Sequence, residues 1–75
     1  MKITVETGNW AARYVTERVV SFDMPEKSTV LDLINAVGIP VDEAGIVASN
    51  GMGVSKKHLL SDGDTIKIHP VIIGG

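Results

Sequence analysis

The stretch Ser28-Thr29-Val30-Leu31-Asp32-Leu33-Ile34-Asn35-Ala36-Val37-Gly38 decides the fold, because it has the period of an amphipathic helix and lies between segments rich in β-formers. Four apolar residues have the spacing of one helix face, i, i+3, i+4 and i+7: Val30, Leu33, Ile34 and Val37. Leu31 is expected to widen this face. A helix this short is stable only when its apolar face packs on another element, so the sequence predicts a sheet beneath it.

Both ends of the helix are marked in the sequence. Ser28 or Thr29 is expected to cap the N-terminus, and Asp32 in the first turn complements the helix dipole. Gly38 supplies the left-handed residue at the C-terminus, and Pro40 follows two residues later. We therefore predict one main helix between these signals.

Two β-rich segments precede the helix and predict a hairpin. Residues 1–6 alternate apolar and polar side chains, which is typical of a strand with one buried face. Residues 14–22 are again rich in β-formers. The turn-forming residues 7–12 between them include Trp10, which we expect to fold back over the sheet, with a role as a partner anchor as the alternative.

Three more strands are predicted after the helix. Residues 45–49 and 52–55 are expected to pair through a type I′ turn at Asn50-Gly51. A connector whose leucines are expected to close the core and a tight turn at Asp62-Gly63-Asp64 lead to the last alternating segment, residues 65–69. Because Pro70 cannot donate a hydrogen bond to a neighbouring strand, this strand is expected to end near His69.

This order of elements predicts one α+β domain over residues 1–75. Its mixed sheet of four to five strands is covered on one face by one main helix. If the last strand pairs with the first, the two are expected to run parallel in the sheet centre. Residues 70–75 are expected to form an extended, flexible C-terminal tail.

Composition and charge narrow the function classes. The chain has no cysteine, which excludes thiol nucleophiles, disulfides and cysteine metal sites. Seven Lys and Arg against nine Asp and Glu give a net charge of −2, which argues against nucleic acid as a partner. The sequence has neither a membrane-length apolar run nor a secretory signal pattern, so we expect a cytoplasmic protein with no membrane partner.

Conventional catalytic constellations are missing from the sequence. Two histidines alone, His58 and His69, do not make a metal site, and none is assigned. Gly51-Met52-Gly53 lacks the flanking helix of a phosphate loop and is interpreted as part of a hairpin. Asp62-Gly63-Asp64 lacks the ligand pattern of a calcium loop and is interpreted as a solvated turn. We assign no catalytic residue and expect a protein that is not itself an enzyme.

The reactive group that remains is the carboxylate of Gly75. Gly74 and Gly75 have no side chain to obstruct a narrow channel, and the five residues after Pro70 could reach roughly 17 Å when extended. The preceding aliphatic run is expected either to pack on its own protein or to bind a partner, and consists of Val71, Ile72 and Ile73. Activation by ATP turns a carboxylate into a mixed anhydride that a sulfur or amine nucleophile can displace. The alternative is a solvated terminal stub.

From Met1 to Gly75 the chain resembles the ThiS/MoaD family of ubiquitin-like sulfur-carrier proteins. The resemblance rests on the strand-strand-helix order and on three stretches: Ser28-Thr29-Val30-Leu31-Asp32-Leu33-Ile34, Leu60-Ser61-Asp62-Gly63-Asp64-Thr65-Ile66 and His69-Pro70-Val71-Ile72-Ile73-Gly74-Gly75. In contrast to molybdopterin-synthase small subunits, which often have a second proline before the tail, this chain has Val71 after Pro70.

Membership of that family implies a β-grasp fold and a carrier cycle. It implies that Gly75 is adenylated by a ubiquitin-activating-like enzyme of the ThiF/MoeB type, which uses ATP, and is then converted to a thiocarboxylate. It also implies a partner groove for the tail residues Val71, Ile72, Ile73 and Gly74, and a sulfur-accepting thiazole synthase or molybdopterin synthase large subunit. No cofactor is expected on this chain itself. The alternative is a ubiquitin-like modifier conjugated through Gly75 to target lysines.

Overall fold

The computed structural model describes residues 1–71, in which five strands and one α-helix form two layers. The strands are β1 (Lys2–Glu6), β2 (Val19–Asp23), β3 (Ala44–Ser49), β4 (Met52–Val54) and β5 (Thr65–Pro70), and the helix is α1 (Val30–Val37). Two short 3₁₀ turns lie outside these elements, at Asn9–Ala11 and at Val41–Glu43. No helix in this part of the chain is both long enough and apolar enough to span a bilayer.

The last strand, β5, lies at the centre of the sheet, whose order is β2-β1-β5-β3-β4. β1 and β5 are parallel, as expected for the first and last strands, and all other neighbours are antiparallel. A parallel pair needs a long crossover, and the connection from β1 to β5 contains α1. This is the β-grasp arrangement that the family resemblance implied.

The helix α1 is capped and packed as its sequence indicates. Thr29 forms a capping box: its hydroxyl accepts from the Asp32 amide at 3.2 Å, and the Asp32 carboxylate accepts from the Thr29 amide at 2.9 Å. Gly38 ends the helix at φ 93°. Leu31 does not widen the buried face as expected, because its side chain is 37% exposed.

The core lies between α1 and one face of the sheet. Most of its largest fully buried side chains come from the helix stripe and from alternate positions of the two central strands: Val30, Leu33, Ile34, Ile3, Val5, Ile66 and Ile68. Burying one such side chain stabilises the fold by about 1.5–3 kcal/mol. Of the two connector leucines, Leu60 is buried and closes the core as expected, whereas Leu59 is exposed.

The predicted second strand begins too early in the sequence-based interpretation. Residues 14–18 are not strand, and β2 begins at Val19. Tyr14 and Val15 instead donate backbone hydrogen bonds to Ala11, at 2.9 and 2.8 Å, and their side chains pack against the core. Tertiary packing therefore overrides their β-propensity. The Trp10 side chain also packs against the core, which confirms that it folds back.

The turns that flank β3, β4 and β5 form one hydrogen-bonded unit. Asn50 (φ 51°) and Gly51 (φ 88°) both have the positive φ of the predicted type I′ turn. The Asn50 side-chain oxygen accepts from the Thr65 amide at 2.9 Å. Asp64 is buried and accepts from Asn50 and from the Ser61 amide, so only part of the Asp62-Gly63-Asp64 turn is solvated, contrary to expectation.

The last strand ends one residue later than predicted. Pro70 pairs with Ala44 of β3, so the predicted tail, residues 70–75, begins at Val71. Pro70 lacks only a donor, and a terminal position tolerates that loss. The expected course and flexibility of Ile72, Ile73, Gly74 and Gly75 lie outside the described residues.

Candidate functional site

The candidate site is the place where the chain leaves the end of β5. Val71, the last described residue, donates its amide hydrogen to the carbonyl oxygen of Glu43 at 3.2 Å. Its side chain is 47% exposed. The backbone is therefore held at the edge of the body while the side chain faces outward. Gly75 lies four residues further along the sequence, outside the described residues.

Gly45 lets the backbone pass this point. The pairing of β3 with β5 shifts by one residue between Ala44 and Val47, which is a β-bulge. A Cβ atom on Gly45 would lie 2.6 Å from the carbonyl oxygen of Pro70 and 2.9 Å from the nitrogen of Val71. Sequence analysis missed this role, although a glycine inside a strand is a known signal of a bulge or of a close backbone approach.

An open apolar groove of about 580 Å³, here called the exit groove, lies beside Pro70 and Val71. It is lined by Gly45, Ile46, His69, Pro70 and Val71. The Ile46 side chain is 69% exposed. An exposed apolar surface is typical of a protein contact. His69 is exposed near the end of β5.

Pro70 and Val71 also line a second cleft of about 350 Å³, here called the Trp10 cleft. It is lined by Trp10, Asp42, Glu43, Pro70 and Val71. Pro70 and Val71 therefore line both an apolar groove and a cleft with one aromatic and two acidic side chains. A partner that takes the chain beyond Val71 would meet both surfaces.

One side-chain hydrogen bond ties the N-terminal loop to this site. The Tyr14 hydroxyl donates to the Glu43 carboxylate at 2.6 Å, across 29 residues of sequence. This hydrogen bond raises the pKa of Tyr14 above its ordinary value, because it stabilises the protonated phenol, and the neighbouring Arg13 offsets part of the rise. Sequence analysis did not identify this contact.

The histidines are not part of a metal cluster in the described structure. His58 lines a shallow pocket near the β3–β4 turn, whereas His69 lines the exit groove at the opposite end of β3. Within residues 1–71, no group of three or more His, Asp or Glu side chains is placed to hold a metal ion.

Comparison with solved structures finds the same fold in small ubiquitin-like proteins. SAMP1 from Haloferax volcanii matches with a TM-score of 0.74 and 21% identity over 100% of both chains. A protein described as molybdopterin converting factor, subunit 1, from Pyrococcus furiosus matches with a TM-score of 0.76 and 26% identity over 96% of this chain and 99% of that one. Urm1 from Trypanosoma brucei matches with a TM-score of 0.71 and 18% identity over 99% of this chain and 95% of that one.

Sequence comparison gives the family. No curated protein matches the chain. A family model described as Mut7-C ubiquitin matches residues 4–73, from the first strand into the segment beyond Val71. The chain therefore belongs to the Mut7-C ubiquitin family, with the ubiquitin-like fold of the ThiS/MoaD carriers that its sequence resembles.

Proposed function

We propose that this protein is a ubiquitin-like sulfur carrier whose Gly75 carboxylate is the reactive group. The observation that carries the proposal is the course of the chain at Val71, where the backbone leaves the central strand and lines two open surfaces. Four residues lie beyond Val71, and fully extended they reach roughly 14 Å. The last two are glycines, which suit a narrow active-site channel.

The proposed chemistry is two successive substitutions. A carboxylate oxygen of Gly75 attacks the α-phosphorus of ATP, a C–O–P linkage forms, and pyrophosphate leaves. Sulfide, or a sulfur nucleophile that delivers it, then attacks the carbonyl carbon, a C–S bond forms, and AMP leaves with the bonding oxygen. With sulfide the product is a thiocarboxylate, and no atom is oxidised or reduced.

The chain supplies the acyl group in this scheme, and its partners supply the catalysis. We propose a ubiquitin-activating-like enzyme of the ThiF/MoeB type as the holder of ATP, and a thiazole synthase or a molybdopterin synthase large subunit as the acceptor of sulfur. The likeness to the P. furiosus molybdopterin converting factor supports the second acceptor. The exit groove and the segment Val71, Ile72, Ile73 and Gly74 would form the contact with both partners.

A second candidate function is protein modification. One structure with the same fold, at 19% identity, is named small archaeal modifier protein 1 of H. volcanii. The same acyl-adenylate, or a thioester made from it, would then be attacked by a target lysine amine, and Gly75 would end in an isopeptide bond. Recovery of Gly-Gly remnants on cellular lysines, after cleavage with a protease that cuts before Gly74, would favour this function.

The test is the exchange of labelled pyrophosphate into ATP, catalysed by the ubiquitin-activating-like enzyme encoded in the same genome. We expect exchange only when the chain is added, because pyrophosphate is released only when a carboxylate accepts the adenylyl group of ATP. Deletion of Gly75 should abolish exchange, whereas Gly53→Ala, in the edge strand β4, should not. Exchange that does not depend on the chain, or that survives the deletion, would refute the proposal. A thiocarboxylate in the protein isolated from cells, or Gly-Gly remnants on cellular lysines, then distinguishes the two functions.

A further inference from the structure

The connection between β1 and β2, residues 7–18, is folded as a compact unit and is here called the Trp10 loop. Backbone hydrogen bonds close its first turn, from Ala11 to Gly8 and from Ala12 to Asn9, both at 3.1 Å. Arg18 donates to the Asn9 side chain at 2.7 Å and closes the base of the loop. Ala11 is fully buried and anchors it in the core. Because the loop is held in this way, it can restrain the position of a residue that it contacts.

Its outer contact is Glu43, and Glu43 is also the residue that holds the chain exit. The Glu43 carboxylate accepts from the Tyr14 hydroxyl at 2.6 Å, and the Glu43 carbonyl oxygen accepts from the Val71 amide at 3.2 Å. One residue thus connects the Trp10 loop to the start of the C-terminal segment.

The part of the Val41–Glu43 turn that contains Glu43 has few side-chain restraints, because Val41 packs against the core but Asp42 and Glu43 are exposed. None of the residues Val41–Glu43 is buried, and its N-terminus has no side-chain cap. Within residues 1–71, the Tyr14 hydroxyl makes the only side-chain hydrogen bond recorded for this turn. A turn held in this way depends on the hydrogen bond for its position more than a buried turn would.

We propose that the Trp10 loop is a positioning element, which uses the Tyr14–Glu43 hydrogen bond to set the direction in which the chain leaves the body at Val71. The consequence for Gly75 rests on the proposed function, since direction matters only if the terminus must enter a partner. Trp10 lines the cleft beside Val71, so the loop also places an aromatic surface where that partner must pass. Tyr14 acts through Glu43 and is not a catalytic residue.

The first test uses the protein alone and measures amide hydrogen exchange at Val71. Tyr14→Phe removes one hydroxyl and is matched by Thr16→Val, which removes an exposed hydroxyl from the same loop. We expect Tyr14→Phe to accelerate exchange at Val71 by about 2- to 10-fold, the usual value of one hydrogen bond, and to leave the central amides of β5 unchanged. Thr16→Val should match the wild type.

A double-mutant cycle identifies the partner of Tyr14. Glu43→Ala should accelerate Val71 exchange as much as Tyr14→Phe does, and combining the two changes should add nothing. Glu43→Gln keeps an oxygen acceptor and should restore slow exchange. The inference is overturned if Tyr14→Phe leaves Val71 unchanged, if Val71 and the β5 amides accelerate together, or if the two effects add fully.

A second readout connects the loop to activation of Gly75. In the pyrophosphate-exchange assay, Tyr14→Phe should lower kcat/KM for the chain. The expected factor is about the one by which the substitution accelerates amide hydrogen exchange at Val71, and Thr16→Val should leave kcat/KM unchanged. Unchanged kcat/KM in Tyr14→Phe would contradict a role for direction. Inactive wild-type protein would instead refute the proposed function, and the hydrogen-exchange results would still decide whether the loop positions the chain.

Discussion

At the scale of single residues, Gly45 shows how the absence of a side chain shapes the candidate site. The backbone of Pro70 and Val71 passes within 2.6 to 2.9 Å of the position that a Cβ atom of residue 45 would occupy. The adjacent β-bulge brings the two strands into this arrangement. The path of the backbone at Pro70 and Val71 therefore depends on a glycine that lies 26 residues before Val71 in the sequence.

Gly45→Ala is expected to destabilise the protein by about 1–3 kcal/mol, because the new methyl group overlaps a backbone carbonyl that cannot rotate away. Urea unfolding measures this free energy. Gly53→Ala is the control, since a Cβ atom there meets nothing within 4 Å. It should change the stability by less than about 0.5 kcal/mol. Equal stability of the two variants would contradict the close approach.

Tyr14 predicts a measurable pH dependence. It is the only tyrosine, so phenolate absorbance reports its titration directly. We expect a midpoint above the ordinary tyrosine pKa, because Glu43 stabilises the protonated phenol, and a lower midpoint in Glu43→Ala. The folded pKa is the higher one, so the stabilising contribution is present below the unfolded pKa and is lost as pH rises through the folded pKa. An ordinary midpoint in the wild type would show that the hydrogen bond is absent.

At the scale of elements, α1 separates residues that look equivalent in the sequence. Leu31 and Leu33 both lie in the apolar stretch, yet Leu33 is fully buried and Leu31 is 37% exposed. The i, i+3, i+4 spacing correctly predicted the buried residues of the helix. Leu31, which we expected to widen the buried face, is the one that lies outside it. Helical period is thus the more reliable guide to burial than apolar character alone.

Leu33→Ala should therefore lower the free energy of unfolding by about 2–5 kcal/mol, because it leaves a cavity in the core. Leu31→Ala makes the same chemical change on the same helix and should cost less than half as much. Denaturant unfolding of both variants provides the comparison. Similar losses would mean that α1 does not present the Leu33 face to the sheet.

The elements that sequence predicted best were those fixed by local chemistry. The capped helix α1 and the Asn50-Gly51 turn depend on neighbouring residues, and both were found where expected. The second strand was placed too early, because the side chains of Tyr14 and Val15 pack against a core formed by distant residues. The end of β5 was placed too early for a similar reason, since Ala44 supplies the pairing that keeps Pro70 in the strand.

At the scale of the whole molecule, the strand that leads to Val71 lies at the centre of the sheet. The chemistry proposed for Gly75 could be read from the sequence, since it depends on the last residues alone. The residues that shape the exit could not be found in this way, because Gly45, Glu43 and Tyr14 meet Pro70 and Val71 only after the strands pair. The role of the Gly75 carboxyl group remains a prediction.

The most direct test of this account is the intact mass of the protein isolated from its native cells. The account predicts a population heavier by about 16 Da, the exchange of one oxygen for sulfur, which fragmentation assigns to Gly75 and which the Gly75 deletion lacks. A single species of unmodified mass, in cells in which the activating enzyme is present and active, would contradict it.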